Sequence, residues 1–381
     1  MEYKHLKNIA QITMGQSPKS ETYNNKKEGL PFFQGNADFG EISPKVRIWC
    51  SVPKKVAHKN DILISVRAPI GALNIADTEC CIGRGLAAIS VRNIKDRDYI
   101  FNALKAKSEY LKNRGTGSTF KAINKNILED VEIPIVSTEK RDIEIKVLNK
   151  LNIVKKQKEK ELSKLDTLIK ARFVEMFGDP LRNDRTWPIS KLKLLTTKIG
   201  SGATPKGGKQ SYKKEGITLV RSMNVHDGEF VYKDLAHIDT AQAHDLDNVE
   251  LQPKDVFINI TGASVARSCV IPDNILPGRV NQHVAIIRCK ENLLNYIFLN
   301  RLFLNSSFKQ KLLVMGQAGG ATRQALTKEQ LKKLNLILPP IELQNEFASF
   351  VQQVDKSKVV IQKSLDETQT LFDSLMQKYF S

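Results

Sequence analysis

No run of about 18 apolar residues occurs anywhere in the 381-residue sequence, so no membrane-crossing helix is expected. The opening residues, MEYKHLKNIA, lack the apolar core of a signal peptide. The five cysteines, at 50, 80, 81, 269 and 289, form no C-x-x-C pair and are odd in number, so neither a disulfide framework nor a zinc site is implied. The six histidines, at 5, 58, 226, 237, 244 and 283, make no H-E-x-x-H and no ligand cluster. Acidic residues are also short: 41 Asp plus Glu stand against 59 Lys plus Arg, a formal net charge of +18. A balance that basic calls for a polyanionic partner, nucleic acid ahead of a membrane surface, and the chain reads as cytoplasmic. Its 41% apolar content against 26% charged is enough for folded cores, and its length suits two or three domains.

Catalytic signatures are missing too. Amino-group methylation of a base needs an Asn/Asp-Pro-Pro-aromatic loop, but the one Pro-Pro pair, in Leu338-Pro339-Pro340-Ile341, has neither flank. Gly316-Gln317-Ala318-Gly319-Gly320 is followed by no Gly-Lys-Ser/Thr and is preceded by a helical pattern, which argues against a phosphate loop. Pro272-Asp273 has no Glu-x-Lys at useful distance downstream, as a metal-dependent nuclease would require. No catalytic, metal-binding or cofactor-binding residue is therefore assigned.

What is present is written twice. GQSPKSETYNNKKEGLPFF at 15–33 and GATPKGGKQSYKKEGITLV at 202–220 share Gly-x-Ser/Thr-Pro-Lys and Lys-Lys-Glu-Gly before an apolar run. Asp61-Ile-Leu-Ile-Ser then matches Asp255-Val-Phe-Ile-Asn, and Pro134 matches Pro339. The slow drift in offset indicates loop insertions between two copies of one domain. DILISV, LAAISV, VEIPI, DVFINI, VAIIRC and LNLILP predict short strands. One helix is expected in each copy, over 99–111 and 296–313. Each globule is followed by a stretch free of Pro and Gly. Ile143, Val147, Leu151, Val154, Leu162, Leu165, Ile169 and Phe173 predict a helix over 139–177, and Phe347, Phe350, Val354, Ile361, Leu365, Phe372 and Leu375 predict its counterpart. Each needs a partner, and the economical one is the other. Gly178-Asp179-Pro180 ends the first, placing a linker at 178–188. The lysines at 155–160 read as the wet face of such a pair.

The repeated loops carry the candidate binding residues. Ser17 and Lys19, with Thr204 and Lys206, set a hydroxyl and a cation about a proline turn, suited to a phosphate or a base edge; a plain turn with a solvated lysine fits the same residues. Gln34 and Asn36, with Arg221 and Asn224, follow an apolar strand in matching positions. They are the types that make bidentate contacts to adenine or guanine, or simply bond to loop backbone. Ser118, Thr119 and Lys121, with Thr322 and Arg323, lie in or beside small-residue loops where backbone approaches phosphates closely.

This duplicated order of loop, strand, small-residue loop, proline-ended strand and long helix resembles the specificity subunit of a type I restriction-modification system. LILPPIELQNEF at 336–347 is its most family-like stretch, matching a Leu-Pro-Pro-x-x-x-Gln entry to a spacer helix; the first copy departs from it, with Glu139 where Gln344 stands. The resemblance implies an α+β fold. Two repeated, mostly-β target recognition domains, at 1–138 and, with the linker, 178–338, are separated by a central spacer helix at 139–177 and a C-terminal one at 339–381. The two helices would form an antiparallel intramolecular coiled coil. It further implies that each domain reads half of a split double-stranded DNA target, that the helices set the gap, and that two methyltransferase (modification) subunits carrying S-adenosylmethionine bind there. Restriction/translocase subunits would join them, leaving this chain without cofactor or reaction of its own. A duplicated DNA-binding regulator without enzyme partners and a protein-binding coiled-coil scaffold are the competing classes.

Overall fold

Both stretches without proline and glycine form 40-residue helices, Thr138–Phe177 and Ile341–Phe380, in a computed structural model that describes residues 2–117, 121–205, 207–317 and 324–380. The chain divides into two units: Met1–Glu159 with Lys363–Ser381, and Lys160–Gln362. Each unit is thus one globule with a part of both helices.

In the first unit, a four-stranded sheet runs in the order Ala10–Met14, Leu86–Val91, Ile62–Ser65, Leu73–Ile75. A second sheet holds Leu30–Phe33 beside Cys80–Ile82 as a parallel pair. The N-terminal strand Glu2–His5 pairs antiparallel with Glu132–Ile135, which feeds the central helix. The second unit repeats this frame. Its four-stranded sheet runs Thr196–Ser201, Val284–Cys289, Val256–Asn259, Ser268–Val270; Ile217–Val220 lies parallel to Gly278–Val280; and Ile189–Lys191 pairs with Asn335–Ile337. The β-branched runs expected to form strands are these strands, and most of their side chains are buried.

Three expectations change in detail. The single helix per globule is two: Ile94–Ala106 then Ser108–Arg114, and Tyr296–Leu304 then Ser306–Gln317. In the second copy the break is a cap. Asn305 is extended, and its side-chain oxygen accepts from the backbone of Ser307 at 3.1 Å and Phe308 at 3.4 Å, restarting the helix. Pro134 is not the counterpart of Pro339. Leu6 N–H bonds Val131 O and Leu192 N–H bonds Leu334 O, so Pro134 occupies the place of Ile337 and Arg141 that of Gln344. Finally, the buried stripe of the central helix passes through Leu148, Ile169, Phe173 and Phe177, while Ile143 and Val154 face solvent.

The helix pair is antiparallel within each unit. In the second, Arg172 reaches Glu346 at 3.1 Å and Asp166 reaches Lys358 at 2.6 Å; in the first, Lys158 bonds Ser364 and Lys155 lies over the Phe372 ring at 5.0 Å. The stripes serve the globules as well as each other. Leu148, Phe372, Met376 and Phe380 share a core with Leu6, Ile64, Ile89 and Tyr99, and Phe173, Phe177, Phe347 and Val351 share one with Ile258, Ile287 and Phe298. Gln344 ties the second junction. It is fully buried, takes the Asn295 N–H at 2.9 Å, and donates to Pro339 O at 2.8 Å and Leu293 O at 3.2 Å. Arg141, in the same place, instead pairs with Asp96.

One turn further, the first unit carries Glu144 where the second carries the fully buried Phe347. Glu144 is 3% exposed with one oxygen unpartnered, Lys140 is 4.0 Å away, and the neighbouring Tyr99 hydroxyl and Arg141 Nε are also buried without a hydrogen-bond partner among the described residues. Burial pushes its carboxyl above the usual carboxylate range, and Lys140 and Lys378 pull it partly back. A carboxyl raised on folding adds stability below its unfolded value, and that contribution is lost as pH rises through the folded value. Glu144→Gln is therefore expected to raise the urea midpoint at pH 7 and to flatten the fall in stability above about pH 4.5. An unchanged midpoint would show that the two lysines already neutralise the charge.

Candidate nucleic-acid interface

The repeated opening motif follows from backbone crowding at its two ends. Gly15 donates to Leu86 O at 2.9 Å, and a Cβ there would sit 2.2 Å from Gly83 O; Gly202 donates to Asn281 O at 3.2 Å, and its Cβ would sit 1.8 Å from Val280 O. Gly29 and Gly216 close the stretch at positive φ, 83° and 135°, against the carbonyls of Cys50 and Ile238. Only glycine fits at these four points, so the sequence is held at both ends and varies between them.

In the first unit the loop Gly83-Arg84-Gly85 lies between two of the expected elements. Arg84 N–H donates to the half-buried Ser17 hydroxyl at 3.3 Å, Gly83 N–H to Phe33 O at 2.8 Å, and Gly85 N–H to Gln34 O at 3.2 Å. The Gln34 side chain is exposed, while its N–H is held by Asp38 at 2.7 Å. Asn36 is half-buried at the start of the turn Asn36–Asp38. Val66 continues the array, donating to Gly85 O and accepting from Ile123, which brings the exposed Arg67 and Lys121 alongside. Lys19 is exposed and paired only loosely with Glu21, at 3.6 Å. Arg67, Arg84 and Lys121 make no ion pair among the described residues.

The second unit builds the same frame with other side chains. Asn281 N–H bonds Val220 O at 3.0 Å, as Gly83 bonds Phe33, and Ile260 N–H bonds His283 O as Val66 bonds Gly85. Gln282 therefore stands for Arg84, Thr261 for Arg67 and Gln324 for Lys121. The Thr204 hydroxyl donates to the Gln282 side-chain oxygen, and Thr261 bonds the His283 ring. Arg221 is half-buried, bonded to Asp234 O and set over the Tyr212 ring at 5.4 Å.

Asn224 requires a correction. It is fully buried; its oxygen takes Arg221 N–H at 3.1 Å, and its amide donates to Val231 O at 2.9 Å and Lys233 O at 3.2 Å. It closes the turn Ser222–Asn224 as Asp38 closes its own, and offers no edge to a ligand. Its counterpart is thus Asp38, not Asn36. Ser118, Thr119, Lys206, Thr322 and Arg323 lie outside the described residues. Arg84, Arg67 and Gln282 escaped the sequence reading because no motif surrounds them; Gly83 and Gly85 on either side of Arg84 were the available signal.

Nucleophile chemistry finds little here. All five cysteines are buried and free, and burial pushes the thiols of Cys80, Cys269 and Cys289 up to about 12 and that of Cys81 to about 11. No group of His, Cys, Asp or Glu among the described residues is placed to hold a metal ion, and no described helix is long and apolar enough to cross a membrane.

Comparison with known proteins agrees with this frame. The type I restriction modification DNA specificity domain family matches residues 1–165 and 185–368. The type I restriction enzyme MjaIX specificity subunit of Methanocaldococcus jannaschii is 23% identical, over 99% of this chain and 92% of that one. The EcoBI specificity subunit of Escherichia coli is 21% identical, over 98% and 84%. A putative MjaX specificity subunit of M. jannaschii is 46% identical over 156 residues, but this match spans only 39% of the present chain and 36% of that protein. Among solved structures, the S subunit of a type I restriction-modification system from M. genitalium superposes with a TM-score of 0.59 at 14% identity, covering 100% of this chain and 96% of that one. A chain from a structure of type I R-M complex assembly and conformational transition gives 0.62 at 16%, covering 100% and 97%.

Proposed function

Since the chain belongs to the type I restriction modification DNA specificity domain family, we propose that it is the DNA specificity subunit of a type I restriction-modification complex. Each unit reads one half of a bipartite duplex target. The helices seat two modification subunits, which bring S-adenosylmethionine and the methylating chemistry, and restriction/translocase subunits join that core. The chain itself performs no reaction and works in the cytoplasm. The observation that carries this reading is one backbone frame built twice with different side chains: Gln34, Arg67, Arg84 and Lys121 in one unit correspond to Arg221, Thr261, Gln282 and Gln324 in the other. A scaffold that merely bound protein has no use for that pattern, and a +18 chain is suited to duplex DNA.

Two different readers imply an asymmetric target. Methylome sequencing of cells with and without this gene, its partner genes present, should show one bipartite asymmetric motif that disappears with the gene; a regulator would leave the methylome unchanged, and a palindromic motif would contradict the asymmetry. Lys19 and Lys121 are assigned to phosphates, and Lys206 by analogy with Lys19; Arg323 is proposed for the same role on its charge beside the small-residue loop. Lys19→Ala and Lys121→Ala are each expected to weaken binding to all sequences alike and to lower the salt slope by about one ion. A sequence-dependent loss in titrations across salt would place them on bases instead.

A further inference from the structure

The loop joining the parallel strand to the four-stranded sheet has an exposed tip beside a buried flank in each unit. Gly83 and Gly85 are buried while Arg84 is exposed, and Asn281 is 5% exposed while Gln282 is exposed. The backbone at these tips is held from two sides. In the first unit Ser17 and Gln34 bracket it. In the second, Asn281 bonds Val220 O and folds its side-chain oxygen onto His283 N–H at 3.0 Å. A long polar side chain carried on a fixed backbone can present one edge at one place, which is what a sequence reader needs. Arg84 makes no ion pair among the described residues, whereas Arg221 is already engaged by Asp234 and Tyr212.

We propose that Arg84 and Gln282 are base-discriminating residues, one in each unit, so that equivalent loop tips of the two readers carry a guanidinium in one and a carboxamide in the other. The proposal rests on the reading of the chain as a DNA specificity subunit. A guanidinium matches guanine O6 and N7 with two parallel N–H donors, and a carboxamide matches adenine N6 and N7 with one acceptor and one donor. Thr204 adds a positioning step. Its hydroxyl donates to the Gln282 side-chain oxygen, which holds the end of that side chain in place with the NH2 group on the other side. The acceptor keeps a second lone pair for the adenine amino group. Among the described residues the Arg84 tip has no such partner, and it depends on the two glycines: a Cβ at residue 85 would meet Gln34 O at 2.4 Å, so the loop lies against the Gln34 backbone only while residue 85 is glycine.

The test uses the full chain assembled with its modification subunits and a duplex library randomised in both half-sites. Arg84→Gln is expected to shift one position of a single half-site from guanine towards adenine and to lower occupancy of the original half-site roughly tenfold to hundredfold. Gln282→Arg should do the reverse in the other half-site only. Arg84→Lys keeps the charge without the planar fork, so affinity for random duplex should stay while the guanine preference falls. The untouched half-site in each variant reports that the fold is intact. Unchanged preferences in Arg84→Gln and Gln282→Arg would overturn the proposal. So would an equal loss on all sequences with a lowered salt slope, which would put Arg84 on a phosphate, or loss of preference in both half-sites at once. If the unsubstituted complex selects no sequence, the assignment as a specificity subunit falls first, an outcome distinct from these.

Discussion

Asp255→Asn is expected to lower the unfolding free energy of the second unit by about 3–5 kcal/mol, while Asp61→Asn in the first unit should cost about 1 kcal/mol. Both aspartates close the same turn. The preceding residues, Asn60 and Lys254, sit at φ 74° and 69°, and each carboxylate takes a backbone N–H three residues back at 2.8 Å, from His58 and Gln252. Their own carbonyls accept from Ala76 and Ile271, pinning the next strand. Of the two, only Asp255 is paired with a cation among the described residues. Arg288 meets both its oxygens, Nε at 2.8 Å and a terminal nitrogen at 2.9 Å, with the carboxylate fully buried and the guanidinium partly so. Asparagine keeps the turn-closing acceptor in both units but strands Arg288 beside a buried neutral amide in one. The two tryptophans fall one to each unit, Trp49 in the first and Trp187 in the second, so Trp49→Phe and Trp187→Phe backgrounds make fluorescence report one unit at a time during urea unfolding. Equal costs at the two sites would mean that the Arg288 pair adds nothing and that the turn closure is the whole contribution.

The same pair of aspartates shows what the sequence could reveal. Asp61 and Asp255 were visible as a repeat because each sits before a β-branched strand, and short strands and long uninterrupted helices leave periodic marks. Residues 86–91 and 284–289 form strands to the residue, and both long helices begin and end within a few positions of their expected bounds. Register between the copies was less legible, since it is set by tertiary hydrogen bonds. Asn36 and Asn224 look equivalent in one dimension, yet it is Asp38 and Asn224 that close the turns. Pro134 and Pro339 look equivalent, yet strand pairing puts Pro134 opposite Tyr3 and aligns it with Ile337. Arg84 has only its two flanking glycines as a local signal and Gln282 has none, because their significance comes from neighbours more than 45 residues away, Gln34 and Ser17 for one and Thr204 for the other. The stripe of the central helix was misplaced by one residue at Ile143 for a similar reason: Glu144 looks polar, and only the core around Tyr99 shows that it faces inward.

Phe177→Ala is expected to cost the second unit about 3–5 kcal/mol, the range for truncating a buried aromatic whose site cannot collapse. Phe177 is the last residue of the central helix and is fully buried, with Phe173, Phe298 and Phe347 at ring-centroid distances of 5.1, 4.8 and 5.4 Å. Those rings come from the central helix, the helix Tyr296–Leu304 and the C-terminal helix, so one side chain joins the antiparallel pair to its globule. The chain then turns at Gly178, φ 73°, and Trp187 donates its ring N–H to Phe177 O at 3.0 Å. The void cannot close easily because the surrounding rings already contact one another, Phe173 with Phe298 at 5.7 Å and with Phe347 at 5.6 Å. Phe177→Leu, which refills part of the volume, should recover about half of the loss. Near the lowered midpoint, sequence selection in the half-site read by the second unit should fade while the first half-site keeps its preference. A cost below about 1 kcal/mol, with Trp187 fluorescence unchanged, would show that the cluster relaxes around the gap. The attachment of the helices to this globule would then rest on Gln344 and its three hydrogen bonds instead.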